Sequence, residues 1–210
     1  KQQADIVEQS GVDIRLNTTV TPEYAESQDA DVIISALGAR PLKPPIPGIE
    51  GPNVLSAEEA YMEPEKVKQN TVILGAGLVG VELGIYLAML GRTVTIVEML
   101  DHINDGGNFQ HLKSLIVEID RCRINLNLST KALEINDKGV RCSADGMEKF
   151  FDADTVIYAV GQIPLDQEAA SLCFCAPEFY QIGDCIAPKN IMNATGSAFT
   201  IARNIGRQNL

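Results

Sequence analysis

The sequence predicts an α/β chain built on a parallel sheet, with a small antiparallel meander after it. Three observations carry that expectation. Residues 71–98 read as strand, helix, strand in about 28 residues, the size of a mononucleotide-binding unit with parallel strands. Glycines 75, 77 and 80 stand where the first strand meets the helix. Between 132 and 151 short apolar runs alternate with the turn signals Asn136-Asp137-Lys138-Gly139 and Asp145-Gly146, the pattern of hairpins.

Taken in order, residues 1–10 suggest a helix with Ile6 and Val7 turned inward, and Gly11 is placed to end it before a strand at 12–16. Thr21-Pro22-Glu23 supplies an N-cap, a proline at the first helical position and an acid in the first turn. Residues 31–36 then read as a buried strand closed by Ala36-Leu37-Gly38. Five prolines and two glycines between 41 and 52 exclude a regular element and predict an extended surface connector. A segment capped by Ser56 follows, with a domain boundary near Asn70. The apolar strand 71–74 runs through the glycines into a helix at 81–90 stopped by Gly91, and a second strand occupies 93–98. An amphipathic helix is expected at 108–120, with Phe109, Leu112, Leu115, Ile116 and Ile119 inside, and a strand at 123–128. After the meander, 155–160 is another apolar strand. Its ending, Ala159-Val160-Gly161, repeats the way Ala36-Leu37-Gly38 ends the earlier one. The last section runs through 179–182 into Gly183-Asp184-Cys185 and a terminal helix at about 193–207.

Composition removes several classes of function. The 210 residues are 45% hydrophobic and 21% charged, enough for a buried core and unlike a disordered chain. Lys and Arg total 17 against 28 Asp and Glu, a net charge of −11, and no basic face gathers to neutralise phosphates, so nucleic-acid binding is not expected. The longest apolar run, 83–90, falls far short of the roughly 20 residues of a membrane span, and the chain is read as soluble and cytoplasmic. Five cysteines, none in a CxxC pair, suit reduced thiols better than a disulfide framework. Cys173-x-Cys175 lacks the remaining ligands of a metal site, and no metal is expected.

The chemistry is concentrated in Gly75-Ala76-Gly77-Leu78-Val79-Gly80. Its placement between strand and helix makes this GxGxxG specific. Gly75 permits the tight turn, Gly77 lets the backbone approach a pyrophosphate, and Gly80 brings helix and strand together. The amides at the helix start then face the phosphates, where the helix dipole favours negative charge. Glu98 follows Gly80 by 18 residues, near the ~20 expected of the acid that accepts ribose hydroxyls. That acid would repel a 2′-phosphate, and Met99-Leu100 bring no positive charge, so NAD is expected rather than NADP. Glu82, the single charge of its apolar helix, either points along the cleft to a ligand or a lysine or lies on a surface face. His102 and His111 read as surface residues, and no catalytic acid or base is assigned.

On these pieces the chain resembles the pyridine nucleotide-dependent flavoprotein oxidoreductases, in which an NAD domain is inserted in an FAD domain. Five features match in order: Ala36-Leu37-Gly38, the fingerprint from Gly75 to Glu82, Glu98, Ala159-Val160-Gly161, and Gly183-Asp184. Tyr180-Gln181-Ile182-Gly183-Asp184-Cys185 and the tail Asn190-Ile191-Met192-Asn193-Ala194 to Arg203-Asn204-Ile205 look most like the C-terminal reductase half of 2-enoate and 2,4-dienoyl-CoA reductases. Those enzymes join this half to an old yellow enzyme-type flavin barrel. The resemblance implies an NAD domain at 70–155 and a partial FAD domain at 1–69 and 156–210. It implies that Gly183 and Asp184 meet the ribityl and diphosphate region of FAD and that Ala36 to Gly38 line its side. Ala159 to Gly161 would mark the crossover near the nicotinamide, and Glu82 the nicotinamide end of NADH.

The sequence departs from that family in several places. Residues 1–67 hold no GxGxxG for FAD, and the chain begins at Lys1, so a preceding FAD-binding segment and barrel are expected in a longer parent. The CxxxxC of disulfide reductases is absent, and Leu37 replaces a threonine usual in the first strand-end motif. The expected function is the NADH-binding reductase portion of a flavoenzyme that passes electrons to an acceptor such as an enoate or enoyl-CoA. A standalone NADH oxidase or ferredoxin reductase, and a non-catalytic scaffold holding ADP or NAD, are the alternatives.

Overall fold

In the computed structural model, which describes residues 2–104, 106 and 109–206, the sheet grows outward from the apolar run before the glycines. Strands β1 (Val54–Ser56), β2 (Asn70–Leu74), β3 (Thr93–Val97), β4 (Asn125–Asn127) and β8 (Thr155–Tyr158) pair in parallel in the order β1-β8-β2-β3-β4. Helix α1 (Ala57–Met62) follows β1, α2 (Leu78–Met89) joins β2 to β3, and α3 (Phe109–Arg121) joins β3 to β4. The antiparallel meander is β5 (Thr130–Asn136), β6 (Gly139–Ala144) and β7 (Met147–Asp152). This is the α/β architecture that the sequence predicts.

Burial on both faces explains why Val72, Ile73 and Leu74 of β2 form an unbroken apolar run. Ile73, Ile96 and Ile157 point to one face, where Val81, Leu83 and Leu87 of α2 and Leu115 and Ile119 of α3 cover them. Val72, Leu74, Val97 and Val156 point to the other, against Ile135, Val140, Cys142 and Phe151 of the meander. A parallel sheet buried on both faces cannot alternate apolar with polar, so its strands read as continuous hydrophobic runs.

The chain divides into two compact units, a central one at Arg40–Ile163 and a flanking one formed by the residues up to Ala39 and from Pro164 onward. The division lies outside the sequence-based limits of 70 and 155 because β1 hydrogen-bonds to β8 within the same sheet. The proline-rich connector is irregular as expected after a short strand at Ala39–Pro41. It is not wholly superficial, since Ile46 and Ile49 pack against the meander-side core.

In the flanking unit, Val32–Ser35 pairs in parallel with Glu178–Gln181. Ala25, Leu172 and Cys175 form a small core with Ile33 and Phe179. Thr21 caps the helix Pro22–Ser27 through its side chain, which accepts from the Tyr24 amide at 3.2 Å. The last helix spans Ile191–Asn204, two residues earlier than expected, with Asn190 as its side-chain cap; Arg207 lies outside the described residues.

Several local expectations are corrected. Helix Gln2–Gln9 forms, but Ile6 and Val7 are exposed rather than inward, and 12–16 is not a strand because no described strand pairs with it. Ile34, in the strand expected to be buried, is also exposed. Helix α2 begins at Leu78, not 81, so the last half of the glycine motif is itself helical. On α3, Ile116 is exposed, because the stripe through Leu112, Leu115 and Ile119 faces the sheet and Ile116 lies about 40° beyond its edge at ~100° per residue. Asn108 and the side chain of Phe109 lie outside the described residues.

Helix α1 starts with a complete capping box: the Ser56 hydroxyl accepts from the Glu59 amide at 3.1 Å, and the Glu59 carboxylate accepts from the Ser56 amide at 2.7 Å. Because Ser56 is buried, Ser56→Ala is expected to cost about 1–2 kcal/mol in urea unfolding. The backbone hydrogen bond from Ser56, and then its side chain, hold the Glu59 carboxyl below its ordinary value of 4.5. A carboxyl lowered by folding stabilises above its unfolded value. Its contribution is therefore present above about pH 4.5 and lost as pH falls through the lowered value. A carbon-detected NMR titration should find Glu59 ionising below the ordinary range in wild type and returning toward it in Ser56→Ala.

Candidate functional site

Strand β2 lies at the point where the strand order of this all-parallel sheet reverses: the chain proceeds from it to β3 and β4 on one side, while β8 and β1 lie on the other. Open α/β sheets bind ligands in the crevice at the carboxyl ends of the strands flanking such a point. Residues 75–77 occupy that position. Gly75 donates to the Val97 carbonyl at 2.8 Å and so ties the loop to β3. Asn104 donates to the Ala76 carbonyl at 3.1 Å, and a parallel bridge joins Gly77 to Asn104.

The three glycines serve different ends. Gly75 has φ +108°, and a Cβ there would lie 2.5 Å from the Ala159 carbonyl oxygen. At Gly80 a Cβ would lie 2.1 Å from the Gly75 carbonyl oxygen. Both are required by the protein's own packing, and Ala159, at the end of β8, is the wall against which the loop closes. Gly77 is different. Its backbone, φ −73° and ψ 174°, suits any residue, and a Cβ there would meet no atom within 4 Å. It caps α2 without a side-chain hydrogen bond to the helix amides, leaving the positive helix end to be met from outside. A glycine that neither backbone nor packing demands, at a helix start without a side-chain cap, fits a phosphate approaching closely.

Glu98 directly follows β3 and is buried, 8% exposed. Its Oε2 accepts from the Ala76 amide at 2.7 Å and its Oε1 from the Leu100 amide at 2.8 Å. A surface strand cap is thereby excluded. Met99, next in the chain, is exposed. Val160 and Gly161 follow Ala159, and the Gly161 carbonyl accepts from the Leu42 amide at 2.9 Å.

Glu82 is half-exposed on α2 and meets neither a lysine nor solvent alone: His111 Nε2 of α3 lies 2.8 Å from its Oε1. His111 is thus a partner of a candidate site residue, which its position on a polar helix face did not reveal. Tyr61 of α1 stacks on Tyr86 of α2 at 5.7 Å, and burial, then Glu82 and Tyr86, push the Tyr61 phenol up to about 12.

The remaining predicted residues lie in the flanking unit, again at the carboxyl ends of parallel strands. Ala36, Leu37 and Gly38 follow Val32–Ser35, and Gly183 and Asp184 follow Glu178–Gln181. The Ile182 amide donates to the Ser35 carbonyl at 3.0 Å, and Gly183 to Ser197 Oγ at 3.3 Å. A shallow cleft of about 140 Å³ opens beside Gly183 and Asp184, bounded by Lys189, Asn193 and Ser197. Lys189, Asn193 and Ser197, three of the residues that line it, were not predicted as site residues; the signal available was Asn190, a helix N-cap type just upstream. All five cysteines are free thiols. Among the described residues no group of three or more His, Cys, Asp or Glu is arranged to hold a metal, and no helix is long and apolar enough to cross a membrane.

A glycine loop where the strand order reverses, with a buried acid directly after the next strand, defines a dinucleotide-binding fold. The chain belongs to the pyridine nucleotide-disulphide oxidoreductase family, whose pattern matches residues 1–198. Cinnamate reductase of Clostridium sporogenes is 33% identical over 203 residues, covering 95% of this chain and 30% of that protein. NADH oxidase of Thermoanaerobacter brockii is 30% identical over 206 residues, covering 93% of this chain and 31% of the relative. A solved 2-naphthoyl-CoA reductase, in complex with 2-naphthoyl-CoA, superimposes with a TM-score of 0.91 at 25% identity, covering 96% of this chain and 31% of its own. The chain therefore spans about three tenths of the length of these relatives. It matches enoate reductase-type enzymes, as the sequence resemblance implies, and shares their general class of flavin- and pyridine nucleotide-dependent redox proteins.

Proposed function

We propose that the chain is the NADH-binding reductase portion of a flavin-dependent oxidoreductase, with residues 70–155 as the NAD domain and 1–69 and 156–210 as part of an FAD domain. The observation that carries this reading is Gly77, a glycine facing open space at the start of α2. The backbone at Gly77, Leu78 and Val79 would take the pyrophosphate, and Glu98 the adenosine ribose. Glu82 would sit at the nicotinamide end, with Ala159, Val160 and Gly161 bordering the site. Gly183 and Asp184 would hold the ribityl and diphosphate portion of FAD, with Ala36, Leu37 and Gly38 beside it.

Bound there, the two cofactors would supply the redox chemistry, a hydride passing from NADH to FAD and electrons onward to an acceptor such as an enoate or enoyl-CoA in a longer protein. No side chain of this chain has to give or take a proton for that transfer. The residues named bind and orient. Cinnamate reductase among the relatives supports an enoate-type acceptor, and the 2-naphthoyl-CoA reductase a CoA thioester.

Calorimetric titration of the chain with NADH, NADPH, ADP and FAD at one salt concentration tests the proposal. NADH is expected to bind at least about tenfold more tightly than NADPH, because the buried Glu98 carboxylate repels a 2′-phosphate. Equal affinity for the two would overturn the choice of NAD. ADP binding as tightly as NADH would favour a nucleotide-holding scaffold.

A further inference from the structure

We propose that Glu98 is the positioning residue of the glycine loop, a carboxylate clamp that sets the Ala76 amide and with it the backbone of the phosphate site, independently of any contact with ribose. The inference concerns the same site as the proposed function, but it rests on the protein's own geometry. Ala76 lies between the end of β2 at Leu74 and the start of α2 at Leu78, so neither sheet nor helix supplies an acceptor for its amide. It is fully buried, and a buried amide without an acceptor is costly. Glu98 Oε2, at 2.7 Å, is that acceptor.

The carboxylate's other oxygen is fixed at the same time by the Leu100 amide at 2.8 Å. The backbone of Glu98 is held as well, its amide donating to the Asn127 carbonyl and its carbonyl accepting from the Thr130 amide. The acid is therefore anchored to β4 and the start of the meander, and it transmits that anchorage to the loop. A carboxylate has about four acceptor sites. Two amides use two of them, so ribose hydroxyls can still be accepted on the others. The charge suits both tasks, since a buried carboxylate is tolerated when amides donate to it.

A consequence for coenzyme choice follows. Exchanging Glu98 for a small or basic residue to admit a 2′-phosphate would free the Ala76 amide, so NADH affinity would fall without a matching gain for NADPH. Glu98→Gln keeps the size but retains one acceptor oxygen, and turns an NH2 toward one of the two amides. Glu98→Asp keeps the charge but is one methylene too short to reach both.

The test measures amide hydrogen exchange by NMR on the whole chain, together with binding of ADP and of its 2′,3′-dideoxy analogue, which lacks both ribose hydroxyls. In wild type the Ala76 amide should be protected although it lies outside helix and sheet. In both variants the amide left without an acceptor, Ala76 or Leu100, should exchange roughly 10- to 100-fold faster, and where it is Ala76 the dideoxy analogue should bind about tenfold more weakly than to wild type. Exchange of wild-type Ala76 at the rate of an open loop would overturn the proposal. So would equal binding of the analogue by wild type and a variant whose Ala76 amide exchanges faster. If wild type binds neither nucleotide, the nucleotide-site reading fails while the exchange rates still decide the clamp. If Glu98→Gln does not fold, Glu98→Asp and wild-type exchange decide it.

Discussion

Gly80→Ala is expected to destabilise the central unit by about 3 kcal/mol or more, an effect at the upper end for adding a single methyl group. The added Cβ would stand 2.1 Å from the Gly75 carbonyl oxygen and 3.3 Å from the Ala159 Cβ. None of these neighbours can swing aside. The Gly75 amide is bonded to Val97, and the Ala159 amide donates to the Leu74 carbonyl at 2.8 Å. Helix α2 must instead lift from β2, opening the face where Ile73 and Ile96 meet Val81 and Leu83. Urea or thermal unfolding reads the loss. A change below about 1 kcal/mol would mean that the loop yields without moving the helix, contrary to the packing described.

Gly77→Ala is expected to do the reverse: to leave the fold intact and abolish most nucleotide binding. Alanine adopts the observed backbone angles without strain, and its Cβ would project into open space. The only folding cost is that of a poorer helix cap, a few tenths to about 1 kcal/mol. With a pyrophosphate at the helix start, the same methyl group would collide with it, and an overpacked contact of about 1–3 kcal/mol corresponds to a roughly 5- to 150-fold weaker affinity. Calorimetry with NADH, beside a melting curve, separates the two effects. Wild-type affinity in Gly77→Ala would remove the central support of the proposed function, whereas Gly80→Ala alone could not distinguish lost binding from lost structure.

What could be read in the sequence was what local pattern determines. The β2-α2-β3 unit, the meander and the caps at Thr21 and Ser56 each depend on residues a few positions apart, and each is present. The motif also located Glu98, because an acid after the second strand belongs to the same local unit. What its carboxylate bonds to could not be read, since its contact with Ala76 spans 22 residues and depends on how a loop folds back. The pairing of Glu82 with His111, 29 residues apart, was hidden for the same reason. Residues 12–16 alternate like a strand, yet strand formation needs a partner edge, which no local pattern supplies. The compact central unit reaches beyond residues 70 and 155 because β1 joins its sheet, and the connector before β1, which looks like a linker, places Ile46 and Ile49 against the core.

The two-faced burial of β2 also acts as a gauge on the site beyond it. Ile73 fills a core lined by helices while Val72 and Leu74 fill a core lined by the meander strands, and the two cores hold different sets of neighbours. A slip of one residue along β2 would exchange their contents and push each side chain into the wrong chamber. The same slip would carry Gly75 out of reach of Val97 and Ala76 out of reach of Glu98. The position of the glycine loop at the lip of the sheet is thus metered by side chains that never touch a ligand, and a register error would erase the site before any of its own residues changed.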